Sequence, residues 1–90
     1  MRWRSLRTQR RYVARRALVA TLLDEHRICQ RCGTNPSSEI HELLSRARGG
    51  SITNEGNCVA LCGRCHHWIT TNPAAATAEG WLKNSWEAQQ

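Results

Sequence analysis

The 90-residue sequence contains no phenylalanine, one tyrosine, one methionine and two prolines, and its apolar share leans on Ala, Leu and four Trp. So short a chain, with so few large side chains, buries a small core and is expected to need a staple, either disulfides or a structural metal. Long hydrophobic runs are missing as well. The run Ala17-Leu18-Val19-Ala20-Thr21-Leu22-Leu23 stops at Asp24 and Glu25, far short of the roughly 20 apolar residues that span a bilayer. It also lacks the small-residue cleavage site of a secretory signal. The Arg-rich start leads straight into the first cysteine pair, without the linker that would follow an organelle transit peptide. The expectation is an intracellular, reducing location with no membrane association. Acid is scarce: seven Asp and Glu stand against thirteen Lys and Arg, for a formal net charge of +6, and none precedes Asp24.

Of those thirteen cations twelve are arginine. Arginine presents a planar fork of donors that matches a phosphate, so the balance points towards nucleic acid, although charge alone separates this weakly from simple solubility. Residues 8 to 26 read as a helix. Val13, Ala14, Ala17, Leu18, Thr21 and Leu22 fall on one stripe at helical spacing and are expected to pack on the core. Arg10, Arg11, Arg15 and Arg16 lie largely off it, either solvated or facing phosphate.

Beyond that helix, residues 29 to 37 form a turn-rich knuckle. Glu39 to Leu44 suits a strand, Gly49-Gly50 breaks the chain, and Cys58 to Leu61 suits a second strand. A helix is expected from about Cys62 to Thr71, ended by Asn72-Pro73, and another from Pro73 to Leu82, with the last eight residues as a tail. This gives a small α+β chain, one domain overall: a basic N-terminal helix over residues 1–28, a core over 29–72, and a C-terminal helix and tail over 73–90.

The cysteines number five, an odd count. Cys29-x-x-Cys32 and Cys62-x-x-Cys65 are two pairs separated by twenty-nine residues. Two residues between cysteines let both sulfurs reach one ion from a single turn, and two such turns complete a tetrahedron. A structural Zn²⁺ is therefore expected, and a reducing setting disfavours disulfides. Four thiolates leave no open position for chemistry. Cys58, in an apolar strand, reads as a buried small hydrophobe.

Between the pairs lie Glu39-Ile40-His41-Glu42-Leu43-Leu44-Ser45-Arg46-Ala47-Arg48-Gly49-Gly50 and Asn57-Cys58-Val59-Ala60-Leu61-Cys62-Gly63-Arg64-Cys65-His66-His67. In order and spacing this stretch resembles the HNH nuclease family over residues 29 to 70. Trp3 and the Arg-rich lead before Cys29 are similar to compact, phage-type members. The resemblance implies a ββα-metal fold and hydrolysis of DNA phosphodiester bonds to 5′-phosphate and 3′-hydroxyl ends. It also implies one catalytic divalent ion, Mg²⁺ or Mn²⁺. The family's first strand ligand matches His41, its loop- or base-orienting asparagine matches Asn57, and its last ligand matches His66. Helix geometry turns His67 about 100° away. The family's general base is a histidine after the first ligand, and here that position holds Glu42. Three outcomes follow: Glu42 is the base, it is a metal ligand, or the site is impaired.

Arg46 and Arg48 share parity and would share a face on an extended segment, while Gly49-Gly50 permits close approach to a phosphate. Trp68 reads as core, whereas Trp81 and Trp86 fit either core or an interface. DNA is the expected partner, and the phage-type resemblance adds a packaging or terminase protein. Two other readings compete: a non-catalytic zinc module that binds nucleic acid, and a protein-interaction knuckle.

Overall fold

The structure, a computed structural model, describes residues 5–84; Trp3, Trp86 and most of the expected tail lie outside the described residues. Its elements are α1 (Leu6–Glu25), β1 (Glu39–Glu42), β2 (Cys58–Leu61), α2 (Gly63–Thr71) and α3 (Pro73–Glu79), with short 3₁₀ turns at Arg46–Arg48 and Glu55–Asn57. The result is a small α+β fold in which an antiparallel two-stranded hairpin lies between α1 on one face and α2 with α3 on the other.

The hairpin register pairs Glu39 with Leu61, Ile40 with Ala60, His41 with Val59 and Glu42 with Cys58. Strand side chains alternate between faces, and the register sorts them cleanly. Ile40, Cys58 and Ala60 pack against Leu22 of α1, flanked by Leu18, Val19 and Leu23. Leu61, with Val59 beside it, joins Cys29, Cys62, Cys65, Ile69 and Ala76 in a second cluster, against which Trp68, Trp81 and Leu82 pack. Each cluster is small, in keeping with the missing large side chains.

α1 begins where Ser5 Oγ accepts from the Thr8 amide at 3.1 Å, a cap that satisfies one otherwise orphaned N–H. The expected stripe is corrected. Val13 is 57% exposed, and Ala14, Ala17 and Thr21 are also exposed, while Leu18 and Leu22 do face the hairpin. The packed side instead runs through Tyr12, Arg15, Leu18, Val19, Leu22 and Leu23. Long amphipathic side chains lie along it with their stems inward, so a pattern read from apolar residues alone comes out rotated.

β1 ends at Glu42 and not at the expected Leu44, because an asparagine side chain replaces the ladder there. Asn57 Oδ1 accepts from the Leu44 amide, and Asn57 Nδ2 donates to the Leu44 carbonyl, both at 2.9 Å. Nδ2 also reaches the Ser51 carbonyl at 3.0 Å. Asn57 thus braces the whole loop between the strands. The two glycines serve that loop as well. Gly49 takes φ 91°, and a Cβ on Gly50 would stand 1.7 Å from the Leu44 carbonyl oxygen. The close approach expected towards a phosphate is used by the chain's own backbone.

α2 follows β2 without a loop, since Cys62 is its N-cap, with Sγ accepting from the Cys65 amide at 3.5 Å. Pro73 opens α3 and Gly80, at φ 90°, closes it. Residues 81–84 then fold back, and the Lys83 amide donates to the Leu43 carbonyl at 2.8 Å. Among the described residues no helix is long and apolar enough to cross a membrane.

Candidate metal centre and histidine face

The cysteine knuckle at residues 29–32 and the start of α2 bring four sulfurs together. Those of Cys29, Cys32, Cys62 and Cys65 all lie within 4.8 Å of one another, with Cys32 and Cys62 at 4.0 Å. A tetrahedral zinc with bonds of about 2.3 Å has sulfur–sulfur edges of about 3.8 Å, so the set is close to ligating size. Backbone amides already point at the sulfurs: Cys32 N donates to Cys29 Sγ and Asn35 N to Cys32 Sγ, each at 3.5 Å. The Asn35 amide, helped by Thr34, holds the Cys32 thiol down to about 5, and the Cys65 amide lowers that of Cys62. Burial pushes the Cys65 thiol up to about 12, against the pull of Arg31. Four sulfurs converging at this spacing suit a soft cation, and four cysteines positioned for a metal ion fit structural zinc.

Cys58 lies elsewhere. It is buried on the α1 face, where the Arg15 guanidinium stands 3.4 Å from its sulfur, and burial raises its thiol. Cys58→Ser should therefore leave one zinc per chain by elemental analysis, and a loss of zinc would place Cys58 among the ligands.

The other face of the hairpin carries histidines. His41 is 8% exposed, and its ring stands 5.3 Å, centroid to centroid, from that of His66 on α2, edge to face. Two imidazoles on one tetrahedral ion with bonds of about 2.1 Å stand roughly 5 Å apart, so the spacing fits a shared metal. His41 Nε2 lies 2.6 Å from the Trp81 carbonyl. A carbonyl only accepts, so Nε2 carries the proton and Nδ1 keeps its lone pair. Burial lowers the His41 pKa against the opposing pull of the Trp81 carbonyl, and so favours the neutral ring. His66 Nδ1 stands 3.3 Å from Glu39 Oε1, which leaves Nε2 as its available lone pair. His67 is exposed.

Glu42 points the other way. Its carboxylate pairs with Arg15 at 3.6 Å on the α1 face, as strand alternation requires. Sequence reasoning gave Glu39 no role, although it shares parity with His41, the one signal that could have found it. The Trp81 carbonyl was beyond reach, because a backbone group forty residues away leaves no mark in composition or spacing.

The arginines divide. Arg15 is corrected from the phosphate-facing set: its guanidinium turns inward to the Ile52 carbonyl at 3.0 Å, to Cys58 and to Glu42. Arg10, Arg11 and Arg16 remain exposed. Arg46 and Arg48 do not share a face, because the segment is a 3₁₀ turn and not extended. Arg46 donates to the Tyr12 hydroxyl at 2.8 Å, whereas Arg48 reaches the Lys83 carbonyl and Asn84 Oδ1. Arg46 and Arg11 line a cleft with residues 50–53. Trp68 is half-buried under the Arg31 guanidinium, which lies 3.7 Å from the ring centroid and also pairs with Glu79.

These features define a zinc-type centre of four cysteines beside a strand–helix histidine pair. Over 70 residues the chain is 36% identical to the type IV methyl-directed restriction enzyme EcoKMcrA of Escherichia coli (strain K12). The match takes in 67% of this chain and 25% of that enzyme, so the chain spans about a quarter of its length. No family model and no solved structure matches the chain.

Proposed function

We propose that the chain is an HNH-type endonuclease hydrolysing DNA phosphodiester bonds. In this reading His41 and His66 hold a catalytic divalent ion, Mg²⁺ or Mn²⁺, and the four cysteines hold a structural zinc. The observation that carries it is the convergence of a buried His41 with His66 across β1 and α2, ring centroids 5.3 Å apart. The partial likeness to a restriction enzyme supports DNA as the substrate. An ion bound there supplies charge neutralisation for the phosphate and the departing oxygen. His41 and His66 each offer one lone pair, their opposite nitrogens being tied to Trp81 and Glu39. Asn57 acts by bracing the loop. Glu42, paired with Arg15, acts as a counter-ion on the far face and not as a base.

For the DNA face we assign Arg10, Arg11, Arg16 and Arg46, centred on the Arg11–Arg46 cleft, with Arg48 turned away towards Lys83 and Asn84. Binding to a short duplex without added divalent ion should weaken steeply with salt, because phosphate contacts release counterions. Arg11→Ala and Arg46→Ala should each flatten the log–log slope by about 1, measured by fluorescence anisotropy. Arg15→Ala should leave the slope alone. A flat dependence in the parent would point to a protein-interaction knuckle.

The second reading, a non-catalytic zinc module that binds nucleic acid, draws on one observation. Among the described residues the cysteines form the single cluster of three or more potential metal ligands. Supercoiled plasmid incubated with Mg²⁺ or Mn²⁺, against a chelated control, separates the two. Nicked or linear product supports the nuclease, and binding without cutting supports the module. Methylated and unmethylated plasmids compared in the same assay test a restriction setting, which the relative's name favours over phage packaging with a terminase.

A further inference from the structure

We propose that Glu39 is a positioning residue that fixes the tautomer and orientation of His66, and that Gly63 keeps it in place. This rests on the nuclease reading above. Glu39 lies two residues before His41 on the same face of β1, opposite Leu61 in the register. Its Oε1 accepts from His66 Nδ1 at 3.3 Å. Its other oxygen lies over the first turn of α2, where a Cβ on Gly63 would stand 3.2 Å from Oε2.

Three consequences follow from that placement. A carboxylate on Nδ1 forces the proton onto that nitrogen and frees Nε2, as carboxylates do for histidines that bind metals. The carboxylate also lies close to Gly63, the first residue of α2, the end of a helix where negative charge is favoured. Finally, glycine at position 63, at ordinary helical angles and so not required for its backbone freedom, leaves room for that carboxylate. Neither Glu42, on the opposite face with Arg15, nor any other carboxylate among the described residues pairs with His66.

The test uses the full, zinc-loaded chain and Mn²⁺ as the probe, followed by calorimetry and by electron paramagnetic resonance. Glu39→Ala should raise the Mn²⁺ dissociation constant about 10- to 100-fold, with zinc content unchanged. Glu39→Gln, which keeps an acceptor but loses the charge, should recover part of that loss. Gly63→Ala should weaken Mn²⁺ binding by a smaller factor in the parent and by none in a Glu39→Ala background, because its effect runs through the displaced carboxylate. Long-range proton–nitrogen correlation spectra of the Mn²⁺-free protein supply the second readout: His66 carries its proton on Nδ1 in the parent and loses that form in Glu39→Ala. Unchanged Mn²⁺ affinity and an unchanged tautomer in Glu39→Ala would overturn the proposal. Should the parent neither bind Mn²⁺ nor cut DNA, the nuclease reading falls, and the tautomer alone still decides whether Glu39 governs His66.

Discussion

Stripped of zinc by a strong chelator, or carrying Cys29→Ser, the protein should lose its tertiary fold. The apolar cluster on that side contains three of the four ligands that are themselves buried, Cys29, Cys62 and Cys65, beside Leu61, Ile69 and Ala76. Without the ion, Cys29 and Cys65 become buried sulfurs with little to hold the knuckle at residues 29–32 against α2. Structural zinc in zinc-finger peptides binds with about 10 to 16 kcal/mol, as much as the whole stability of an ordinary domain, about 5 to 15 kcal/mol. Near-ultraviolet circular dichroism should collapse on chelation and return with Zn²⁺ but not with Mg²⁺, which avoids thiolates. A chelated protein that melts cooperatively at the parent temperature would show that the cysteines do not carry the fold.

His41→Asn and His66→Ala should each lower plasmid cleavage at least about 100-fold, since replacing even the outer partners of a metal ligand costs 10- to 100-fold. Zinc content and circular dichroism should stay at parent values, which separates loss of function from loss of fold. His67→Ala should cut nearly as the parent does, because His67 is exposed and turned from the pair. Glu42→Gln is the sharpest contrast. It keeps the shape of the side chain beside Arg15 and removes only its charge, so cleavage should stay within about tenfold of the parent, well short of the roughly 10² to 10⁴ lost with a general base. If Glu42→Gln falls as far as His66→Ala, the carboxylate serves the reaction and its pairing with Arg15 is not the working arrangement.

Much of this was legible in the sequence where local chemistry decides. β2 occupies the expected Cys58–Leu61, and α2 and α3 meet at Asn72-Pro73, because proline fixes one boundary and the cysteine spacing the other. Where packing decides, the reading slipped. The α1 stripe came out rotated because Arg15 reaches Glu42 and Cys58 of the hairpin and Tyr12 meets Arg46 of its loop, polar-tipped contacts that an apolar count passes over. Arg46 and Arg48 parted because parity has meaning only on extended backbone, and Asn57 with Gly50 winds that segment into a turn. Of the histidine face, the positions of His41 and His66 were visible in the motif. Their partners were not: Glu39 acts across twenty-seven residues and Trp81 across forty, distances at which only the fold brings groups together.

Cys62 caps α2, and the His66 amide makes the helix's bond back to the Cys62 carbonyl, at 3.0 Å. The histidine therefore stands one turn above a cysteine that the ion would pin. Between these two positions the chain has no tolerance for insertion or deletion: one residue more or less would swing His66 about 100° around the helix, away from His41 and Glu39. Substitutions at the exposed Arg64 leave that phase untouched. Relatives that keep this arrangement should vary there in residue type and never in length.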